Sequence, residues 1–265
     1  MKMIIDSFIF YNELELLYYR LNILYDKVDY FILVESTKTH KGADKPLYYN
    51  ENKHIYKKFE DKIIHIITED LKSEPLSLNE VWLNENNQRN SIDKGIQQII
   101  LNMRNEDLDN NDLIIISDID EIPSPLIFDN LKSNSSLEQD FYYYNLHTKN
   151  KKKWYASKVV DYESYKNVFH SKPNIIRFYN FYNIIQNAGW HLSYFGDENF
   201  IQNKLLNFAH QEYNIETYTN INTIKDKINN SKDLFNRNDE QWEYIDINNN
   251  MNLPFKYNEF LNNYL

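Results

Sequence analysis

The sequence contains no cysteine in 265 residues, which excludes disulfides, thiolate nucleophiles and thiolate metal sites together. Any bound metal must take oxygen and nitrogen ligands. Positive charge is also scarce: 29 Lys and Arg against 39 Asp and Glu leave a net charge of −10. A nucleic-acid partner requires a basic face to neutralise phosphates, so that class is excluded. Long apolar runs are missing too. No segment approaches the ~20 apolar residues of a membrane span, and the opening MKMIIDSFIFYNELELL is not built like a signal peptide. A soluble, cytoplasmic protein is expected. Four glycines and six prolines form no linker, and no repeat is visible, so one domain is expected over 1–265.

Aromatic residues are abundant instead. They make up 15% of the chain, with 22 Tyr. Tyrosines carry an apolar ring and a polar tip, so they suit either strand packing or a carbohydrate-handling surface. The one basic cluster, KNKKKW at Lys149–Trp154, reads as a solvated loop, with contact to an anionic substrate or membrane surface as the alternative.

Apolar runs alternate with helical spacing through the first half. MIIDSFIFY reads as a strand, NELELLYYRLNILYDKV as an amphipathic helix opened by Asn12, and DYFILVES and KIIHIITED as further strands, with a short helical piece near Lys53–Phe59 between them. NENNQRNSIDKGIQQIILNM reads as a helix feeding the isoleucine strand that begins at Leu113. This order predicts an α/β fold with a mostly parallel sheet flanked by helices. After Pro125, DFYYYNLH, WYASKVVDY and NIIRFYN read as antiparallel additions, ENFIQNKLLNFAHQEY as a helix, and the asparagine-rich remainder as one or two short helices and a loose tail.

The most informative stretch is DLIIISDIDEIPSP, residues 112–125. Asp118 and Asp120 follow a buried-strand pattern, and ligands of open α/β sheets bind outside the carboxyl ends of strands. Three readings are open. Two carboxylates two residues apart can hold a hard divalent cation such as Mn²⁺ or Mg²⁺. A strand ending in Asp-x-Asp also opens haloacid-dehalogenase-like phosphatases, whose first aspartate is a nucleophile. The later Gly-Asp-x-x-x-Asp element of those enzymes is incomplete here, because GDENFI has Ile201 in the second aspartate's place. Finally, the aspartates can be turn or cap residues before PSPLIFDNLKS.

The neighbouring motifs shift the balance. DSFIFYNELELLYYRLNILYDKVDYFILVESTKTHKG, QRN, SDIDEIP and NAGWHLSYFG, in that order over roughly residues 3–213, resemble glycosyltransferase family 17, the β-1,4-mannosyl-glycoprotein β-1,4-N-acetylglucosaminyltransferase-like family. The resemblance implies a GT-A-type (Rossmann-like) fold, a nucleotide-sugar donor (UDP-GlcNAc by family precedent), a glycan acceptor, Mn²⁺ or Mg²⁺, and inversion at the anomeric carbon. Residues 1–120 would form the nucleotide-sugar-binding half, 121–217 the acceptor and catalytic half, and 218–265 a helical tail.

Carried over onto this chain, Asp118 and Asp120 match the metal motif, and His191 is a candidate third ligand. Glu35 and Ser36 would face the nucleoside, and Arg89 and Asn90 the phosphate and uracil; Trp190 would line a sugar pocket. Glu198, Asp197 and Glu121 are the candidate bases. Glu198 is favoured, with Asp197 placed to cap the following helix and Glu121 to support the ligands. The chain lacks the cysteines and anchor of the animal enzymes, which fits a bacterial or viral type of member. A non-catalytic sugar-binding module using Trp82, Trp154 and Trp190 as stacking platforms is the competing reading.

Overall fold

The computed structural model describes residues 2–101 and 108–265. The end of the helix expected to run to Met103 lies outside the described residues. The first half builds β1 (Ile4–Ile9), α1 (Leu14–Leu24), β2 (Tyr30–Ser36), α2 (Tyr48–Glu51), β3 (Ile63–Thr68), α3 (Leu78–Asn90), α4 (Ile92–Ile99) and β4 (Leu113–Asp118). The second half adds β5 (Glu121–Pro123), β6 (Ser135–Tyr143), β7 (Thr148–Asn150), β8 (Lys158–Asp161), α5 (Tyr162–Asn167), α6 (Pro173–Arg177), β9 (Asn183–Ser193) and α7 (Glu198–Asn207). The chain then forms α8 (Glu216–Thr219), α9 (Ile221–Asn229), β10 (Trp242–Tyr244) and α10 (Tyr257–Phe260).

Among the described residues, ten strands join one sheet, in the order β10-β7-β6-β8-β4-β1-β2-β3, with β9 beside β6 and β5 beside β9. The β4-β1-β2-β3 part is parallel. β8 adds antiparallel to β4, and β7 and β10 are likewise antiparallel additions. This is the mixed, helix-flanked sheet of the expected GT-A type. Its central strands alternate cleanly: Leu113 and Ile115 enter the core on the α1 face, and Ile114 and Ile116 the core on the α4 face. A strand buried on both faces must be apolar throughout, which is why the isoleucine run carries no alternation in its sequence.

Four local expectations are corrected. Asn12 does not cap α1; Glu13 precedes the helix, and its carboxylate accepts the Tyr11 and Asn12 amides at 3.2 and 3.0 Å. The helix expected from Asn84 starts at Leu78, where the Ser77 amide donates to the Glu80 carboxylate at 3.0 Å, and it breaks at Ser91. NIIRFYN is not a strand. Its first half lies in α6, where Pro173 supplies the φ of a first helical turn and Ile176 and Arg177 are buried by tertiary packing while Ile175 is exposed. The tail is not loose either: Leu234 and Leu261 are fully buried, and β10 pairs with β7.

Candidate active site

β1, β2 and β3 run outward in one direction from β1, while β4 lies on its other side. The chain therefore changes direction between β1 and β4, the place where open α/β sheets bind ligands. Asp118 ends β4 opposite Ile9 of β1. The turn beyond it is shaped from below by Arg20, which is fully buried. Its guanidinium holds Asp6 at 2.6 and 2.8 Å and donates to the carbonyls of Asp118, Ile119 and Glu121 at 2.8, 3.2 and 3.2 Å. Three carbonyls converging on one cation fix the backbone of the Asp-x-Asp turn.

His191 reaches this turn through strand pairing. Glu121 of β5 lies opposite His191 of β9, and Asp120 O accepts the Leu192 amide at 2.8 Å. Gly189, two residues earlier, has φ +144°, and a Cβ there would fall 2.2 Å from the Ile122 carbonyl oxygen. Only glycine permits the two strands to approach so closely, so NAGWH is a structural requirement of the site. The His191 ring stacks on Phe141 at 4.6 Å and leans against Trp154 at 4.4 Å. Burial lowers its pKa despite nearby Asp120 and Glu121, which favours the neutral imidazole a ligand needs. Its Nδ1 has no hydrogen-bond partner among the described residues.

The three carboxylates of the turn are in different surroundings. Asp118 pairs with Arg89 at 3.1 Å and with Arg177 at 3.0 Å. Burial alone would raise its pKa, but the two guanidiniums outweigh that and hold the carboxyl well below the usual range. Asp120 accepts from Lys204 at 3.0 Å through Oδ2, while Oδ1 lies 3.7 Å from His191 Nε2. Lys204 also meets Glu13 at 3.3 Å, and these two carboxylates raise its pKa against the effect of burial. Glu121 is fully buried. It is gripped by both Arg177 Nη atoms, by the Trp154 indole, by Ser157 Oγ at 3.0 Å and by the Asp118 amide at 3.1 Å.

A cavity of about 500 Å³ opens over this turn. On the β1–β2 side Tyr11, Ser36, His40, Trp82 and Gln88 line it; on the β6 side Phe141, Tyr143 and Trp154 do. The segment after α9 contributes Phe235, Arg237 and Glu240. Mostly apolar walls with a few convergent polar groups are the usual form of a small-ligand site of this size.

The structure brings Asp118, Asp120, Glu121, His191 and Ser36 together at this cavity, with Trp82 and Trp154 in its walls, and places the other expected residues elsewhere. Glu35 is fully buried and accepts from the Tyr49 amide at 3.0 Å, with His65 at 3.1 Å. Arg89 lies at the end of α3 and stands behind Asp118, bound also to Glu85 at 2.8 Å and Asn174 at 2.9 Å; it is no surface ion pair. Asn90 accepts the Asn174 amide at 3.0 Å, fastening α3 to α6. Trp190 belongs to the core and donates to the Asn252 carbonyl at 2.8 Å. Asp197 caps α7 by accepting the Phe200 amide at 2.8 Å, and Glu198 lies 3.9 Å from Lys225; neither lines the cavity. The lysines of KNKKKW are engaged by carboxylates: Lys149 and Lys153 by Asp140, and Lys152 by Asp239. Sequence reasoning missed Arg20, Arg177, Lys204 and Glu240. A cation inside an apolar run, as in NIIRFYN, was the one local sign of a buried partner.

Comparison with known families bears on this arrangement directly. The model described as glycosyltransferase family 17 matches residues 1–260. The chain belongs to glycosyltransferase family 17. This glycosyltransferase carries the family's likeness through its tail, beyond the 3–213 region in which the motifs were recognised, in keeping with a tail that helps wall the cavity. Membership of a transferase family also sets aside the phosphatase reading of Asp-x-Asp. A search of curated proteins returned no match.

Proposed function

We propose that this glycosyltransferase moves a sugar from a UDP-sugar, UDP-GlcNAc by family resemblance, to a hydroxyl of a glycan acceptor, with inversion and with Mn²⁺ or Mg²⁺ as cofactor. The observation that carries the reading is the cavity at the β1–β4 crossover, lined by Asp118 and Asp120 from the turn after β4 and by His191 from β9. A nucleoside has aromatic and amide surface available on the β1–β2 side, from Tyr11, Trp82 and Gln88. A diphosphate would then lie over the Asp-x-Asp turn.

The donor set fits a divalent ion best at Asp120 and His191. Asp120 Oδ1 has no hydrogen bond among the described residues, and the facing imidazole nitrogen, at 3.7 Å, is too distant to donate to it. A carboxylate oxygen and a neutral imidazole are the ligand types that Mn²⁺ accepts. Asp118 would complete the set only in part, because Arg89 and Arg177 already balance its charge. When bound, the ion supplies Lewis-acid neutralisation of the departing diphosphate. The chain's own residues keep the site ready: the guanidiniums hold Asp118 ionised, Lys204 orients Asp120, and Phe141 and Trp154 fix the His191 ring.

The test is UDP release from UDP-GlcNAc with Mn²⁺ and with EDTA. Wild type is expected to release UDP only with the ion. Asp120→Asn is expected to lose about 100-fold or more while its circular dichroism is unchanged. Metal-independent release, or an unaffected variant, refutes the clamp. A sugar-binding module would bind UDP-GlcNAc and release nothing.

A further inference from the structure

We propose that Glu240 is the base that takes the acceptor hydroxyl's proton, and that the segment around it forms the acceptor end of the cavity; this rests on the transferase reading above. Inverting transfer needs the acceptor oxygen to approach the anomeric carbon from the side opposite the diphosphate. As that oxygen's lone pair forms the new C–O bond, the bond to the diphosphate breaks and its electron pair leaves with the diphosphate oxygen. The hydroxyl proton must pass to a nearby base.

The sheet fixes which side that is. β4, bearing the Asp-x-Asp turn, lies in the middle, with β1, β2 and β3 on one side and β8, β6, β7 and β10 on the other. With the nucleoside on the β1–β2 side, the acceptor enters from the β6–β10 side. Among the described residues, six carboxylates line the cavity: Glu13, Glu85, Asp118, Asp120, Glu121 and Glu240. Glu13 and Asp120 share Lys204, and Glu85 and Asp118 share Arg89. Glu121 is enclosed by Arg177, Trp154 and Ser157.

Glu240 differs from the other five in position and in having no Lys or Arg within hydrogen-bond distance among the described residues. It sits two residues before β10, on the acceptor side, and its side chain is 16% exposed. Oε2 is anchored by Asn150 Nδ2 at 2.6 Å. Oε1 has no hydrogen bond among the described residues, its nearest cation being Lys152 at 3.8 Å. One oxygen is therefore held and the other is free to accept a proton. The same segment contributes Phe235 to the cavity wall, where it stacks on Tyr213 at 4.0 Å. Arg237 there is already held by Asp233 at 2.7 Å and by Tyr143 Oη at 2.9 Å. An apolar ring face with a guanidinium that is already neutralised suits an uncharged sugar better than an anionic acceptor.

UDP release from UDP-GlcNAc with Mn²⁺ tests the assignment, with water and with methyl β-mannoside as acceptors. UDP binding is followed separately by thermal stabilisation. Glu240→Gln is expected to lower release about 10²–10⁴-fold with either acceptor, with the UDP-induced stabilisation retained. Glu240→Asp, which keeps a carboxylate, is expected to retain more turnover than Glu240→Gln. Turnover of Glu240→Gln within about threefold of wild type overturns the assignment. So does equal loss in both variants accompanied by loss of UDP stabilisation, which would mark Glu240 as structural. If wild type itself releases no UDP, the transferase reading fails first, and this proposal falls with it.

Discussion

Replacing Arg177 with Met tests how the site is held together. Arg177 is 7% exposed; it donates two hydrogen bonds to the fully buried Glu121 and a third, at 3.0 Å, to Asp118. Methionine fills much of the same space but leaves Glu121 charged and without its counterion. Breaking a buried ion pair by removing one partner costs about 3–5 kcal/mol. Ser157, Trp154 and the Asp118 amide still solvate Glu121, which favours the lower end. For a chain of this size each kcal/mol moves Tm by roughly 2–4 °C, so a fall of about 6–20 °C is expected.

The double variant Arg177→Met/Glu121→Gln removes the orphaned charge and should recover roughly half of that loss. The pH dependence has a defined sign. Asp118's folded carboxyl is held below the ordinary value, so it contributes stability above about pH 3.9 that is lost as pH falls toward the lower folded value. Because Arg177 contributes to that depression, the gap between wild type and Arg177→Met should narrow below about pH 4. Urea unfolding from pH 7 to pH 3 measures all three quantities. A loss under ~1 kcal/mol at pH 7, or a gap that widens with acid, refutes the account.

Trp190→Phe should lose about 1–3 kcal/mol of stability, through the missing Asn252 hydrogen bond and the space left in the core, with the donor KM unchanged. A raised KM at normal Tm would return Trp190 to the cavity. Asp197→Ala should cost about 1 kcal/mol as a lost α7 cap, whereas Glu198→Gln should leave turnover unchanged. A Glu198→Gln variant with abolished UDP release would restore Glu198 as the base expected from the sequence.

The elements of the first half were legible because their signals are local. The β-branched run Leu113–Ile116, the boundary residues Asp118 and Pro123, and the helical spacing from Leu14 all act over a few residues, and they fixed strand, turn and helix without reference to the rest of the chain. The same locality exposed the Asp-x-Asp turn at a strand's carboxyl end and the ordered motifs that led to family 17. His191 was recognisable as a partner only through that order of motifs; its approach to Asp120 depends on β5–β9 pairing across about 70 residues.

What the chain could not announce locally was which charge would neutralise which. Arg20 beneath the turn, Arg177 on Glu121 and Lys204 between Glu13 and Asp120 are separated from their partners by 14 to 191 residues and come together only when the sheet closes. The same limit misplaced Trp190, whose neighbour His191 points to the site while its own ring points to Asn252: adjacent residues of a strand face opposite sides. The asparagine-rich tail looked expendable because its apolar residues are sparse and aperiodic. Leu234, Phe235 and Leu261 are nevertheless buried, since an already formed sheet and helices provide the surface they cover, and a segment docking on preformed structure needs no periodicity of its own. The sequence alone therefore determined the strand-and-turn framework, whereas the pairing of buried charges and the closing of the cavity by the tail were decided by tertiary packing, because those contacts join segments whose separation in the chain carries no local signal.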